Sequence, residues 1–168
     1  MSVSVQRNYF KRHIVGVSDM KVSDDTSVIL ETHSLGSCLG VAAYDPEAHV
    51  GALLHFQLPL SKRNQQKAAH NPFMFADTGL VKMLEEMIAL GASKKRMVVK
   101  VAGGASHSGG EGVMEIGRRN YVVIKKLLWK NGMLIAAEDV SGDSWRNLKL
   151  EINSGRAFVK DKQGEFEL

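Results

Sequence analysis

Short apolar runs with β-branched and alternating residues cover most of this chain, and the helical spacing takes over only twice. Residues 13–22 alternate well enough for a first strand, Ser23-Asp24-Asp25-Thr26 is a polar turn, and 27–32 is a second strand. Two apolar runs, 39–44 and 50–58, flank Asp45-Pro46-Glu47-Ala48, a turn signal that makes them a β-hairpin. Residues 75–90 then take the helical period, with Leu80, Val81, Leu84, Met87 and Ile88 on one face and Gly91 as the terminator. A strand at 97–101 runs into Ala102-Gly103-Gly104-Ala105 and a glycine-rich loop, 107–112. The order recurs: a helix over 117–131 with Tyr121, Ile124, Leu127 and Leu128 inward, Gly132 as its stop, and a strand at 133–138. Ser141-Gly142-Asp143 is a turn, and 148–152 with 156–160 form a closing hairpin about Asn153-Ser154-Gly155.

Two helix–glycine–strand units framed by hairpins predict an α/β protein of the α+β type, a mixed and largely antiparallel β core with helices packed outside. The chain's 168 residues suit one core. Residues 1–12 read as a flexible basic tail and 13–168 as a single domain. The polar, basic stretch 61–71 reads as a mobile surface loop of the size that borders many active sites.

Chemistry enters with the only cysteine, Cys38, which follows a turn-prone Leu35-Gly36-Ser37. A thiol becomes a nucleophile beside an imidazole or backbone N–H groups, and His55 sits in the apolar run of the facing strand. The loop length decides whether the two meet. A two-residue loop pairing Asp45 with Ala48 sets Cys38 directly opposite His55, about 4.5–5.5 Å between Cβ atoms. A four-residue loop pairing Asp45 with Val50 makes them diagonal neighbours at about 7–8 Å. A three-residue loop puts them on opposite faces. The turn at Gly36 and Ser37 exposes N–H groups able to form an oxyanion hole. A thiolate so stabilised would have a pKa below the roughly 8.5 of free cysteine. His33, His49, His70 and His107 have no comparable placement and read as surface or turn residues.

Composition narrows the class. Hydrophobic residues at 44% and charged residues at 24% are ordinary for a globular protein. A single cysteine excludes an internal disulfide, and residues 1–13 lack the apolar segment of a secretory signal. The net charge of +4 is spread over Lys62-Arg63, Lys94-Lys95-Arg96, Arg118-Arg119 and Lys125-Lys126. Such clusters steer an acidic partner. They accompany no nucleic-acid motif, no zinc-ligand spacing and no membrane-length apolar stretch, so the expectation is a cytoplasmic protein with no metal and no nucleic acid.

Thr32-His33-Ser34-Leu35-Gly36-Ser37-Cys38, followed seventeen residues after the cysteine by His55 in Leu54-His55-Phe56-Gln57-Leu58-Pro59, resembles the signature of the chemoreceptor glutamine deamidases, the CheD family. Phe75-Ala76-Asp77-Thr78, Ala102-Gly103-Gly104-Ala105, Ile116-Gly117-Arg118-Arg119-Asn120 and Glu138-Asp139 before Gly142 and Arg146 continue it, so that it covers about 14–160. The resemblance implies a layered CheD-like cysteine hydrolase fold, with Cys38 as nucleophile, His55 as base and acid, and Thr32 ordering the site. It implies hydrolysis of glutamine side-chain amides on the cytoplasmic helices of bacterial chemoreceptors, a side activity on receptor methyl esters, and no cofactor. It also implies a partner, a CheC-type phosphatase, and a substrate or partner loop at Gly103, Gly104, His107 and Ser108.

The chain departs from the family at that loop, where His107 and Ser108 replace an apolar pair such as Met-Phe, and at Ser141, where a glycine is usual. The first change predicts a weak phosphatase complex or a different docking surface. Two rival readings share these residues: a non-catalytic docking module for a chemotaxis phosphatase or receptor, and a general thiol hydrolase or transglutaminase-like enzyme.

Overall fold

A computed structural model describes residues 9–106 and 111–168, the side chains of 111–114 excepted. The chain begins with β1 (Lys11–Val15), β2 (Asp19–Ser23) and β3 (Val28–Leu35), then the hairpin β4 (Leu39–Asp45) and β5 (Val50–Phe56). A 3-10 turn (Ser61–Arg63), the short helix α1 (Gln65–His70) and a second 3-10 turn (Pro72–Met74) lead into α2 (Ala76–Ala89). β6 (Val98–Gly103), α3 (Glu111–Lys130), β7 (Ile135–Val140), β8 (Arg146–Glu151), β9 (Ala157–Asp161) and β10 (Gly164–Glu167) complete it.

The strands form two five-stranded sheets, ordered β1-β3-β8-β9-β10 and β2-β5-β4-β6-β7. All pairings are antiparallel except β1 with β3 and β6 with β7. The second sheet is the middle of three layers. Its face bearing Leu39, Val41, Ala43, Leu54 and Phe56 packs on α2 and α3 through Leu80, Met83, Met87, Ile124 and Leu128. Its other face, bearing Ala42, Tyr44 and Leu53, packs on Leu30, Leu148, Leu150 and Val159 of the first sheet. Covered on both sides, β4 and β5 are buried along their whole length, which is why they read as continuous apolar runs.

The expected α+β class and largely antiparallel core are what the chain adopts, with the helices on one side only. Several element boundaries differ. The stretch 13–22 is two strands, because the chain turns at 16–18 with Ser18 at φ +55° and sends β1 and β2 into different sheets. The basic tail stops short of residue 12: Lys11 N–H donates to Ser27 O and its ammonium pairs with Asp25, which starts β1 at Lys11.

The expected mobile loop at 61–71 is instead built into short helices. Asn64 caps α1 by accepting from Lys67 N–H, Asn71 caps the next turn by accepting from Phe73 N–H, and Asp77 takes both the N–H and the hydroxyl of Ser61. On α2, Leu80, Leu84 and Met87 face inward as expected, whereas Val81 and Ile88 are exposed and Met83 takes the core position. α3 starts at Glu111, so much of the glycine-rich stretch 107–112 lies outside the described residues or already within the helix. β10 has no counterpart among the expected elements.

Candidate active site

Asp45 pairs with Val50, so the hairpin has a four-residue loop and Gly40 faces His55. Of the three registers weighed, this one makes Cys38 and His55 diagonal neighbours on one face. That face points into the space between the sheets: Cys38 packs against the inter-sheet core and is partly exposed, while His55 is fully buried. The loop is fixed by the residue that opens it. Asp45, buried, accepts from Glu47 N–H at 2.9 Å, Ala48 N–H at 3.2 Å and Ser93 N–H at 2.8 Å, and pairs with Arg96 at 2.8 Å. These donors hold its carboxyl well below the usual carboxylate range despite burial.

Thr32 reaches the same space from the other sheet. It is the last regular residue of β3 before a register shift, and it is fully buried. Its hydroxyl donates to Val15 O at 2.7 Å and lies 2.8 Å from His55 Nδ1. Because the hydroxyl hydrogen is committed to a carbonyl, the contact with His55 requires Nδ1 to be the donor. The imidazole is thereby held in the tautomer whose Nε2 carries a lone pair, and Nε2 is buried with no hydrogen-bond partner among the described residues. A buried acceptor on the face that carries a thiol has the chemistry a general base requires.

Burial sets both ionisations. It pushes the His55 pKa down to about 4, so the imidazole is neutral near pH 7. It also pushes the Cys38 thiol up, against a lesser opposing effect of its own backbone N–H. The expectation of a depressed thiol pKa is therefore corrected. The resting pair is thiol and imidazole, both uncharged, since a desolvated site disfavours the separated charges of a thiolate–imidazolium pair.

The loop that presents Cys38 is tied down through its carbonyls. Gly36 O accepts from Ala105 N–H at 2.7 Å, Ser37 O from Asn120 Nδ2 at 3.0 Å and Cys38 O from Gly104 N–H at 2.8 Å. Among the described residues, nothing accepts from the N–H groups of Gly36 and Ser37, the donors expected of an oxyanion hole. Gly103 and Gly104 thus belong to the scaffold of the loop that carries Cys38. A Cβ at Gly103, at φ +113°, would collide with Cys38 O, and one at Gly117 would lie 2.7 Å from Gly104 O. His107 and Ser108 lie outside the described residues.

Three contributors were not assigned roles from sequence. Asn120 is fully buried on the inward face of α3, and a lone amide between Gly117 and Ile124 at helical spacing is the signal that marks it. Arg146 is nearly buried and forms a two-pronged pair with Asp139, at 2.7 and 3.1 Å. Asp45 was read only as a turn residue. Among the described residues no cluster of three or more histidine, cysteine, aspartate or glutamate side chains could hold a metal, and no helix is long and apolar enough to cross a membrane.

A family model described as CheD chemotactic sensory transduction matches residues 57–161. A probable chemoreceptor glutamine deamidase of Solibacter usitatus is 43% identical over 155 residues, covering 92% of each chain. One from Syntrophus aciditrophicus is 46% identical over 151 residues, 90% of this chain and 94% of that one. A third, from Thermococcus kodakarensis, is 38% identical over 149 residues, 87% of this chain and 90% of that one.

Proposed function

We propose that this chain, which belongs to the CheD family, is a protein-glutamine deamidase that hydrolyses side-chain amides of particular glutamines on chemoreceptors, giving glutamate and ammonia. The observation that carries the mechanism is the buried His55, with Nδ1 held by Thr32 and Nε2, on the face that bears Cys38, without a partner among the described residues.

As Cys38 Sγ attacks the amide carbon, its proton passes to His55 Nε2, so charge develops only when the new C–S bond forms. The oxyanion is met by N–H groups of the Gly36–Cys38 loop. The imidazolium returns its proton to the amide nitrogen, the C–N bond breaks and ammonia leaves. Water then gives a proton to Nε2 while its oxygen attacks the thioester. The C–S bond breaks, Cys38 recovers its proton, and glutamate departs. A receptor glutamyl methyl ester enters the same cycle with methanol as leaving group, as a side activity. The setting is the cytoplasm, where the receptor's helical signalling region lies. A CheC-type phosphatase binds weakly or elsewhere, since His107 and Ser108 offer no apolar anchor; calorimetric titration that finds tight binding by the wild type would overturn that clause.

Incubation of the protein with an array of chemoreceptor cytoplasmic fragments, read by peptide mass spectrometry, is expected to give Gln-to-Glu conversion at a few positions, abolished by Cys38→Ala. Conversion that survives Cys38→Ala would remove the thiol from the mechanism. Absence of conversion, with incorporation of an added amine instead, would favour a transglutaminase. An effect on receptor signalling that Cys38→Ala leaves intact would favour a docking module.

A further inference from the structure

We infer that Asn120 is a positioning residue that fixes the nucleophile loop against the strand bearing the base; the inference rests on the reading of Cys38 and His55 as the reacting pair. Asn120 is buried on the face of α3 that carries Ile124 and Leu128 to the helix-facing side of the middle sheet, opposite the inter-sheet space that holds the imidazole, and its side-chain nitrogen bonds backbone carbonyls and no reacting atom. Its side-chain nitrogen donates to Ser37 O at 3.0 Å and to Gln57 O at 2.8 Å. Ser37 is the residue before Cys38, and Gln57 lies two beyond His55.

The two carbonyls stand where the β4–β5 ladder gives out. Its last pair is Leu39 with Phe56, and past it the β5 chain turns away, with Gln57 and Leu58 donating to Met74 O. One amide, using both of its hydrogens, replaces the next rung between strands that have separated. Among the described residues it is the only hydrogen-bond partner of either carbonyl.

The position is a poor one for asparagine on every other ground. It lies inside a helix, where asparagine has low propensity, on a face otherwise occupied by Gly117, Ile124 and Leu128. Its Oδ1 is buried without a partner among the described residues, and a buried polar atom left unpaired is a cost an apolar residue would avoid. What asparagine alone supplies here is two donors from a single short side chain. Gly117, three residues earlier, lets α3 approach the Gly104 and Ala105 carbonyls closely enough for that side chain to reach. The spacing of the two chain segments that carry Cys38 and His55 is therefore set from behind by the Asn120 amide.

Misplacing reacting groups by about 1 Å can cost roughly a hundredfold in rate. In Asn120→Ala and Asn120→Asp, kcat on a glutamine-bearing receptor fragment that the wild type deamidates should fall roughly 30- to 100-fold with KM within about threefold of wild type. Ile124→Ala, one turn along the same helix face and fully buried, loosens the seat of α3 without touching either carbonyl; its kcat should stay within about threefold. Retention of kcat in the Asn120 variants, or an equal loss in Ile124→Ala, would overturn the inference. Cys38→Ala separates the two readings: if it keeps activity the site reading fails, whereas an inactive Cys38→Ala beside a fully active Asn120→Ala defeats this inference alone. Should neither Asn120 variant fold, NMR of the wild type decides. The two Asn120 side-chain amide protons should exchange slowly with solvent and shift when iodoacetamide alkylates Cys38; fast exchange or unmoved resonances would sink the idea.

Discussion

Thr32 Oγ1 sits 2.8 Å from His55 Nδ1 while giving its own hydrogen to Val15 O, so that one hydroxyl, bridging two sheets, decides which ring nitrogen of the imidazole can act as base. Thr32→Val keeps the shape and removes the acceptor. It leaves a buried Nδ1–H unpaired and frees the ring to adopt the other tautomer or rotate. The loss should be roughly tenfold to a hundredfold in kcat, below the 10²–10⁴ of a general base itself, with KM little changed. Thr32→Ser, which retains the hydroxyl, should keep most activity. Steady-state kinetics of the pair check this; equal losses in both would mean that the methyl group, not the hydroxyl, matters.

The ionisation of the pair makes a second prediction. Iodoacetamide alkylation of Cys38 should titrate at or above the roughly 8.5 of free cysteine, since burial raises the thiol. A rate plateau near neutral pH would show a preformed ion pair. For His55 the folded pKa, about 4, lies below the ordinary 6.5. The unfolded chain therefore binds the proton more tightly than the folded one. The contribution to stability is fully present above pH 6.5 and is lost as the pH falls towards about 4. The shift corresponds to about 3 kcal/mol at most. Urea unfolding between pH 4 and 7 should show this slope in the wild type and a shallower one in His55→Gln.

That Cys38 and His55 share a face was legible because they lie in one compact stretch whose alternation fixes faces, so that only the loop length stood between sequence and geometry; Thr32, in the other sheet, came from the family resemblance alone. The outcome of that choice was not legible: Pro46 and Asp45 announce a turn, but the four-residue loop is selected by Ser93 and Arg96, about fifty residues away. The ionisation state was misjudged for a related reason. A histidine beside a cysteine suggests a charged pair, and only the layering of one sheet on another reveals that both groups are desolvated. At 13–22 the alternation suggests one strand, because it cannot report that Ser18 turns the chain from one sheet to the other.

Asp45 gives a test of that loop. Its buried carboxylate gathers three backbone N–H groups and Arg96, so Asp45→Ala removes the acceptor and leaves those donors and a half-exposed guanidinium to find water. Destabilisation of about 2–4 kcal/mol is expected, at the lower end because Arg96 can reach solvent. Arg96→Ala should cost less, since the three N–H groups remain with the carboxylate. Thermal unfolding of the two variants checks the order; a larger loss for Arg96→Ala would place the ion pair above the backbone donors.

The Asp139–Arg146 pair acts on the site at one remove. Arg146 is nearly buried and also donates to Ser144 O, while the loop it spans returns two backbone bonds to the glycine segment, Ser141 N–H to Gly103 O at 3.0 Å and Ser106 N–H to Gly142 O at 2.8 Å. That segment in turn holds Gly36 O and Cys38 O. Asp139→Ala strands a buried guanidinium and should destabilise by about 3 kcal/mol, whereas the paired replacement Asp139→Leu with Arg146→Met, which leaves no unpaired charge, should recover much of that stability. Activity should not recover with it, because an apolar pair gives Ser144 O no donor and no longer fixes the loop that braces the nucleophile. Melting temperature and deamidation rate measured on the same three proteins separate the two effects; full return of activity in the apolar pair would show that the ion pair contributes stability alone.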